Sequence, residues 1–346
     1  MISIREHVFL APFTSVKIGG PARFFVETKT KEEVKEALHW ALERHTPYVV
    51  LGAGSNVLVA DKGFGGLAVR MCFKELSFEG EYMYADAGVS MAQAAARSLQ
   101  QNLSGFEWAA GIPGTVGGSV YGNAGCFGGE MQQVLERVRV LECKVLASSP
   151  SRSGQSARLV SESERAKCKV VEFKNADCMF AYRESIFKKR KDWIILGATL
   201  KLKQVSDEEK KEKQAWIQQM MRDRVMEQAI GERTIGSTFK GIPLTDETMR
   251  RVRSYDVRFA KRENSCWVFE SRRGMISAGF LIEQAGLKGK KIGGVSVSPK
   301  HANFLVSDGT ATAEHVVMLI AYIKEYVHRK FGVMLGEEIQ YISSKF

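Results

Sequence analysis

The sequence predicts a globular protein of interspersed helices and strands, of either the α+β or the α/β class. Patterns typical of helices and of strands follow one another along the chain, as both classes require. At 346 residues the chain has room for about two domains and a sizeable core. Its 45% hydrophobic and 26% charged residues exclude disordered, collagen-like and low-complexity chains.

The N-terminal part is expected to form a helix followed by two short strands. Thr30 and Glu33 have the spacing of a helix N-terminal capping box, and Pro47 ends that helix. Tyr48–Leu51 and Val57–Val59 are short apolar runs that predict buried strands on either side of a glycine-containing loop.

Three further helices are predicted from their end signals and apolar spacing. Ser90 and Gln93 cap a short helix, and a long charged helix is expected over Asp207–Ala229. The last helix begins after Thr312 and ends at Gly332. The buried stripe expected for the long helix consists of Trp216, Ile217, Met220 and Met221.

Two stretches, Ser148–Arg165 and Pro243–Gly274, have the composition of insertions. The first is rich in serine and charge and is expected to be a surface loop. The second is dense in arginine and lysine and predicts no definite element. A domain boundary is expected near Gln204–Asp207, between a strand over Trp193–Leu202 and the long helix.

The formal net charge of +11 fits two kinds of partner. Clustered lysine and arginine neutralise the phosphates of a nucleic acid, whereas a basic cleft attracts small anionic ligands. No known nucleic-acid-binding motif accompanies the clusters, and the charge alone does not separate the two possibilities. The clusters lie at Lys188–Lys191, Lys210–Lys213 and Lys288–Lys291.

We expect a cytoplasmic protein with reduced thiols and no metal site. The uncharged stretch Tyr48–Ala60, 13 residues long, is too short and too polar to cross a bilayer, and the N-terminus lacks the order of a signal peptide. The cysteines show no C-x-x-C pair and no histidine at ligand spacing, which favours free thiols. They are Cys72, Cys126, Cys143, Cys168, Cys178 and Cys266.

Two glycine-rich segments are the main functional signal. Gly52–Asn56 lacks the third glycine of a dinucleotide-binding fingerprint and precedes a strand, so it is either a phosphate-binding nest of backbone N–H groups or a hairpin turn. Gly105–Gly129 contains nine glycines in 25 residues. Such density brings bare backbone against a flat ring with a diphosphate tail, or permits a tight packing crossover in the core.

Eight short motifs lie in order along nearly the whole chain: Thr14–Ala22, Leu51–Asn56, Ala110–Gly125, Tyr182–Ser185, Gly236–Lys240, Ala278–Gly289, Ser298–Phe304 and Gly332–Ile339. Together they resemble the UDP-N-acetylenolpyruvoylglucosamine reductase family, flavoproteins of bacterial cell-wall synthesis. The resemblance implies an α+β fold of the vanillyl-alcohol-oxidase (PCMH) type. It places FAD-binding subdomains over 1–75 and 76–205 and a substrate-binding domain over 206–346.

The implied cofactor is FAD. Covalent relatives in the superfamily attach the ring through a histidine beside the first loop, and no histidine lies between His45 and His301, so noncovalent binding is expected. The implied cofactor-binding residues are Gly52, Ala53, Gly54, Ser55, Asn56, Gly111, Ile112, Pro113, Gly114, Gly117, Gly118, Ser119, Asn123, Ala124 and Gly125.

The implied reaction is the NADPH-dependent reduction of UDP-N-acetylglucosamine enolpyruvate to UDP-N-acetylmuramate, in peptidoglycan precursor synthesis. The resemblance assigns Arg183 to the charge that develops on the enolpyruvyl group, Ser237 to proton donation, and Glu338 to a second acidic role. Tyr182 and Lys288 are the implied substrate contacts. FAD, NADPH and this substrate are polyanions, which suits the net charge without a nucleic acid or a membrane as partner.

The chain departs from the family pattern at several positions. Glu337 stands where proline is usual, which leaves the register between Glu337 and Glu338 open. Gly241–Pro243 follows Gly-Ser-x-Phe-Lys where the family usually has Asn-Pro. Arg183 and Ser237 are 54 residues apart, which indicates the branch without an additional substrate-capping tyrosine loop.

Two other functions stay open at this point. Another FAD-dependent oxidoreductase of the same superfamily would share the FAD loops, but it has no reason to carry the Gly-Ser-x-Phe-Lys and C-terminal glutamate motifs. A basic nucleic-acid-binding protein would be colourless and would leave DNA as salt rises. The sequence leaves the oligomeric state open.

Overall fold

A computed structural model describes residues 2–145, 166–229, 231–253 and 274–344 and confirms the α+β class. The helices are α1 (Lys31–Glu43), α2 (Met91–Gln100), α3 (Val116–Gly122), α4 (Ile186–Lys189), α5 (Asp207–Glu227), α6 (Asp246–Arg253), α7 (Ala278–Gln284) and α8 (Ala313–Phe331). The strands are β1 (Arg5–Phe9), β2 (Pro21–Thr28), β3 (Tyr48–Leu51), β4 (Val57–Val59), β5 (Phe64–Met71), β6 (Leu76–Glu79), β7 (Tyr82–Asp86), β8 (Leu103–Ser104), β9 (Gly125–Cys126), β10 (Gly129–Glu130), β11 (Leu135–Val145), β12 (Ala166–Lys174), β13 (Trp193–Lys201), β14 (Lys203–Gln204), β15 (Thr234–Ser237), β16 (Ile242–Pro243), β17 (Met275–Ile276), β18 (Lys291–Ile292), β19 (Val295–Val297), β20 (Phe304–Ser307) and β21 (Gln340–Ile342).

The first sheet has the strand order β1-β2-β5-β3, with β2, β5 and β3 parallel and β1 antiparallel at the edge. Helix α1 begins as predicted, because the Thr30 hydroxyl accepts a hydrogen bond from the Glu33 amide at 3.1 Å. Val34 and Leu38 on its apolar face are fully buried in one core with Val69 of this sheet and Val138 of the second. Helix α1 therefore joins the first two sheets.

The second sheet is antiparallel, in the order β12-β11-β13-β7-β6. Helix α2 begins at the predicted cap, where the Ser90 hydroxyl accepts from the Gln93 amide at 3.2 Å. Helix α3 packs against β13 and β7. The second glycine segment thus lies directly on this sheet.

The third sheet, β15-β20-β19-β18, is antiparallel and packs against α7 and α8. Helix α8 follows the predicted N-cap Thr312 and ends at Gly332, whose φ of 68° is the left-handed conformation typical of helix C-termini. The carboxylate of Asp61, from the loop after β4, accepts hydrogen bonds from the amides of Ala313 and Glu314 at 2.9 and 3.1 Å. This cap fixes α8 to the N-terminal region.

The C-terminal strand returns to the N-terminal region. Strand β21 pairs in parallel with β4, while β3 pairs with β5 in the first sheet. The loop Gly52–Asn56 consequently connects strands of two different sheets. The interpretation of this loop as a hairpin turn is wrong, because the strands on either side of it do not pair with each other.

The expectation that all cysteines are free thiols is also wrong. Cys143 of β11 and Cys168 of β12 are directly opposite each other, with their Cα atoms 4.1 Å apart, and form a disulfide. Antiparallel pairing brings these two residues together although they are 25 positions apart in sequence. Cys72, Cys126 and Cys178 form no disulfide with a described residue, and Cys266 lies outside the described residues.

The structure contains the predicted long helix α5, but most of the residues expected to form its buried stripe are not buried. Met220 is buried, whereas the Trp216 side chain lies at the surface with 42% of its area exposed. The helix is highly charged and buries only a narrow line of residues, which includes the unexpected Arg224. The predicted surface loop Ser148–Arg165 lies outside the described residues. So do residues 254–273 of the second basic stretch.

Candidate active site

A cavity of about 1090 Å³ opens between the three sheets. Its walls come from β3 and the following loop, the second glycine segment, β13, helix α5, β15 and the C-terminal strand. Its charged lining among the described residues consists of Arg183, Lys188, Lys191, Arg224, Glu232 and Glu338. Cations outnumber carboxylates, so the cavity favours an anionic ligand.

The first glycine loop requires its glycines. Gly54 has a φ of +65°, and a Cβ atom there would lie 2.0 Å from the Phe13 carbonyl oxygen. A Cβ atom on Gly52 would lie 2.6 Å from the Thr115 hydroxyl. The Ser55 hydroxyl donates a hydrogen bond to the Pro113 carbonyl at 2.8 Å. The two glycine segments therefore lie against each other, and both line the cavity.

The second glycine segment contains glycines that pack in the core and glycines that line the cavity. Gly117 is a packing position, because a Cβ atom there would approach the Ala87 Cβ to 2.7 Å. Gly114, with a φ of +147°, and Gly118 have no such core contact and line the cavity. The Thr115 hydroxyl accepts from the Gly118 amide at 3.3 Å and caps α3. The segment thus packs on the second sheet with one side and faces the cavity with the other.

Arg183 and Glu338 form a part-buried pair in the cavity wall. Arg183 Nε donates to Glu338 Oε1 at 2.8 Å, and Nη2 donates to the Gly125 carbonyl at 3.0 Å. The remaining Nη1 atom is buried and makes no hydrogen bond among the described residues. Burial opposes the charged guanidinium, but the Glu338 carboxylate outweighs it and raises the pKa of Arg183, so this cation is permanent.

The segment that carries Ser237 is held next to the segment that carries Glu338. The Glu338 amide donates to the Thr238 carbonyl at 2.9 Å, and the Lys240 amide donates to the Gly336 carbonyl at 2.8 Å. Gly236, with a φ of +76°, turns the chain just before Ser237. Ser237 lines the cavity, and its hydroxyl makes no hydrogen bond with a described residue, so it is available to a ligand.

Comparison with known proteins identifies this arrangement. The model of the UDP-N-acetylenolpyruvoylglucosamine reductase C-terminal domain matches residues 228–342, and a model of an FAD binding domain matches residues 22–145. The UDP-N-acetylenolpyruvoylglucosamine reductase of Caldanaerobacter subterraneus subsp. tengcongensis is 33% identical over 333 residues, which cover 96% of this chain and 91% of that relative. The chain belongs to this reductase family.

Two further reductases extend the match over the full length. The reductase of Solibacter usitatus is 32% identical and covers 96% of this chain and 95% of that relative. The crystal structure of the Thermus caldophilus reductase superimposes with a TM-score of 0.70 at 26% identity, covering 99% of this chain and 100% of that one. The family resemblance deduced from the eight motifs is confirmed.

The structure separates the two adjacent glutamates at the position where the reductase family usually has proline and glutamate. The Glu338 carboxylate faces Arg183, whereas Glu337 contacts Lys324 Nζ at 2.7 Å and the Tyr341 hydroxyl at 2.6 Å. Burial opposes ionisation of Glu337, but its hydrogen bonds from Lys324 and Tyr341 prevail and lower its pKa. Glu338 is therefore the carboxylate of the pair that accompanies Arg183.

Three of the predicted site residues do not line the cavity. Asn123 is fully buried, and its side chain bonds the Ala181 carbonyl and the Gln132 amide. Tyr182 lies beside Arg183, with its hydroxyl accepting from the Gly241 amide at 3.2 Å. Lys288 forms an ion pair with Glu283 at 2.8 Å. The other predicted site residues all line the cavity.

Sequence reasoning missed several residues of the cavity wall. Lys188 and Lys191 belong to a charge run that was recognised only as a basic cluster. Lys188 donates to the Arg183 carbonyl at 2.5 Å, and burial lowers its pKa despite the nearby Glu184 carboxylate. Arg224 has no local sequence signal at all. The further wall residues of note are Tyr121, Trp193, Gln228, Gln340 and Tyr341.

No helix among the described residues is both long and apolar enough to cross a membrane. The same residues contain no group of three or more His, Cys, Asp or Glu side chains placed to hold a metal ion.

Proposed function

We propose that this chain reduces UDP-N-acetylglucosamine enolpyruvate to UDP-N-acetylmuramate, with NADPH as reductant and noncovalent FAD as cofactor. The observation that carries the proposal is the Arg183–Glu338 pair beside Ser237, in the wall of a cavity lined by two glycine loops. Membership of the reductase family supports it over another FAD-dependent oxidoreductase. The reaction is a step of peptidoglycan precursor synthesis, and we propose a cytoplasmic location, where NADPH and the nucleotide sugar are available.

The residues present fit FAD. The glycine loops offer backbone without side chains, as a flat ring and a diphosphate require, and cations outnumber carboxylates among the described residues of the cavity that these loops line. When bound, FAD supplies the relay of hydride from NADPH to the substrate. We propose that residues 1–75 and 76–205 hold it and that residues 206–346 cover the substrate.

Arg183 binds and polarises the substrate carboxylate in this proposal. Arg183 lines the cavity, its Nη1 has no hydrogen-bond partner among the described residues, and a guanidinium offers a planar pair of donors to a carboxylate. Glu338 orients the guanidinium through the 2.8 Å bond to Nε. As hydride reaches C3 of the enolpyruvyl group, the negative charge that develops at C2 and on the carboxylate is stabilised by Arg183.

Ser237 donates the proton to C2. A hydroxyl is a weak acid in water, but a strongly basic carbanion held at hydrogen-bond distance takes its proton directly. The Ser237 hydroxyl has no hydrogen-bond partner among the described residues to hold it away from the substrate, and Gly236 turns the chain just before it.

The proposal is tested by the absorption spectrum of the purified protein and by NADPH consumption with and without the enolpyruvyl substrate. We expect flavin bands, release of the colour from the chain on denaturation, and NADPH oxidation that depends on the substrate. Flavin with substrate-independent NADPH oxidation would indicate another oxidoreductase of the superfamily. Colourless protein that does not quench added FAD would refute FAD binding.

A further inference from the structure

Arg224 is a buried cation without a counterion among the described residues. Its residue surface is 6% exposed, it lines the cavity, and it forms no ion pair with a described carboxylate. The Nη1 atom is buried and makes no hydrogen bond among the described residues. Nothing in the proposed roles of Arg183, Ser237 and Glu338 uses this side chain.

The surroundings hold the guanidinium in place without neutralising it. Arg224 Nε donates to the neutral Gln228 Oε1 at 3.2 Å, and the guanidinium lies 5.8 Å from the centre of the Phe127 ring. A Cβ atom on Gly111 would lie 2.6 Å from Nη1, so the absence of a side chain at Gly111 leaves room for the guanidinium. Arg224 thus lies against the second glycine segment in the cavity wall.

An isolated buried charge costs several kcal/mol relative to a hydrated one, unless a partner of opposite charge joins it. The two carboxylates of the cavity wall are engaged elsewhere: Glu338 pairs with Arg183, and Glu232 lies 3.7 Å from Lys300. The missing partner of Arg224 is therefore expected to arrive with a ligand.

We propose that Arg224 is a diphosphate-binding residue, with its guanidinium donating to a phosphate oxygen. A guanidinium matches a phosphate with two parallel donors and stays charged, and the neighbouring glycine backbone gives a diphosphate room to approach. This proposal rests on the proposed function, because FAD and the nucleotide-sugar substrate each carry a diphosphate. Either can be the source.

The experiment compares Arg224→Met with Arg222→Met. Arg222 is exposed on the same helix and donates to Gln219, so its replacement controls for loss of one positive charge. Two affinities are measured: FAD for the apoprotein by fluorescence quenching, and UDP-N-acetylglucosamine for the flavin-loaded protein by its change of the flavin spectrum. Circular dichroism melts of the apoproteins give the third measurement.

For Arg224→Met we expect one of the two affinities to fall at least tenfold, and the other to change less than threefold. A fall for FAD identifies the cofactor diphosphate as the partner, and a fall for UDP-N-acetylglucosamine identifies the substrate diphosphate. The apoprotein is expected to melt at an unchanged or higher temperature, since the substitution removes an unpaired buried charge. If Arg224 had a purely structural role, its replacement would lower the melting temperature instead.

The proposal is overturned if both affinities stay within threefold of wild type, if Arg222→Met weakens binding equally, or if weaker binding comes only with a lower melting temperature. Arg224→Lys keeps the positive charge and tests the proposal if the Met variant fails to fold. It should bind the affected diphosphate ligand more tightly than the uncharged variant Arg224→Gln. The proposed function is tested separately by the wild-type protein. It holds if that protein binds FAD and reduces the enolpyruvyl substrate, whatever the variants do.

Discussion

The adjacent residues Glu337 and Glu338 have different surroundings, although they are neighbours in sequence. Glu338 is directed into the cavity towards Arg183, while Glu337 is directed to Lys324 and Tyr341. The sequence alone left this register open, because the usual proline is absent. Side chains of consecutive residues in extended backbone point to opposite sides, and pairing of this segment with the Ser237 segment determines which side is the cavity.

We therefore predict different results for two matched variants. Glu338→Gln should lower kcat by roughly 10²-fold or more, because the charge that orients Arg183 is lost. Glu337→Gln should keep kcat within about threefold and cost at most about 1 kcal/mol in free energy of unfolding, since its ion pair is part-exposed. Steady-state kinetics and urea unfolding measure both. Equal losses of kcat would contradict the assignment of Glu338.

Ser237 offers a second prediction for a single residue. Ser237→Ala should leave the reduction of flavin by NADPH intact and slow overall turnover by roughly 10²–10⁴-fold, because only the second half-reaction needs the proton. Stopped-flow measurement of each half-reaction separates the two. Thr238→Val is the matched control, since the neighbouring Thr238 side chain is buried outside the cavity with an unsatisfied hydroxyl. Equal slowing of both half-reactions would remove Ser237 from this role.

At the scale of the secondary-structure element, the sequence predicted the starts of helices correctly, because the hydrogen bonds that determine them are local. The caps at Thr30, Ser90 and Thr312 satisfy amides within one turn of the helix, so three residues of sequence suffice to find them. The buried face of α5 depends instead on what packs against it. Its apolar residues Trp216 and Met220 follow helical spacing, yet only Met220 reaches a partner that covers it.

The turn between β19 and β20 contains a titrating group that gives a pH prediction. Burial, with the nearby charge of Lys288 and Arg224, lowers the pKa of His301 to about 4, and His301 Nδ1 accepts a hydrogen bond from the Asn303 amide at 3.2 Å. The unfolded chain therefore binds more protons at this residue between pH 6.5 and 4. The contribution of His301 to the free energy of unfolding is therefore fully present above pH 6.5. It decreases as the pH drops towards 4, by up to about 3 kcal/mol.

Urea unfolding of wild type and His301→Asn between pH 4 and 7 tests this. An asparagine side chain still accepts from the amide two residues later but does not titrate, so the variant should lose less stability towards pH 4. His7→Asn is the control, because His7 is exposed. Parallel curves for wild type and His301→Asn would show that other groups cause the acid loss.

At the scale of the whole molecule, the cavity could be predicted only in part, because distant parts of the chain form its wall. Its glycine loops carry their own sequence signal, and the residues predicted there largely line it. Arg224, Lys188 and the C-terminal residues Gln340 and Tyr341 reach it through contacts between distant parts of the chain, such as the parallel pairing of β21 with β4. No periodicity or motif encodes such contacts, because they depend on how the sheets assemble.

Strand β21 links the N-terminal region to the segment that carries Glu338. Ile342 is 6% exposed and packs in one core with Leu51, Val59 and Phe64, four residues after Glu338. Ile342→Ala should therefore lower the free energy of unfolding by about 2–4 kcal/mol and reduce kcat as well, because the Glu338 segment loses its anchor. Val317→Ala, on the exposed side of α8, should change stability by less than about 0.5 kcal/mol. Urea unfolding of the FAD-loaded proteins, followed by kcat at saturating substrate, measures both effects. Ile342→Ala with lowered stability but wild-type kcat would show that β21 stabilises the fold without positioning Glu338.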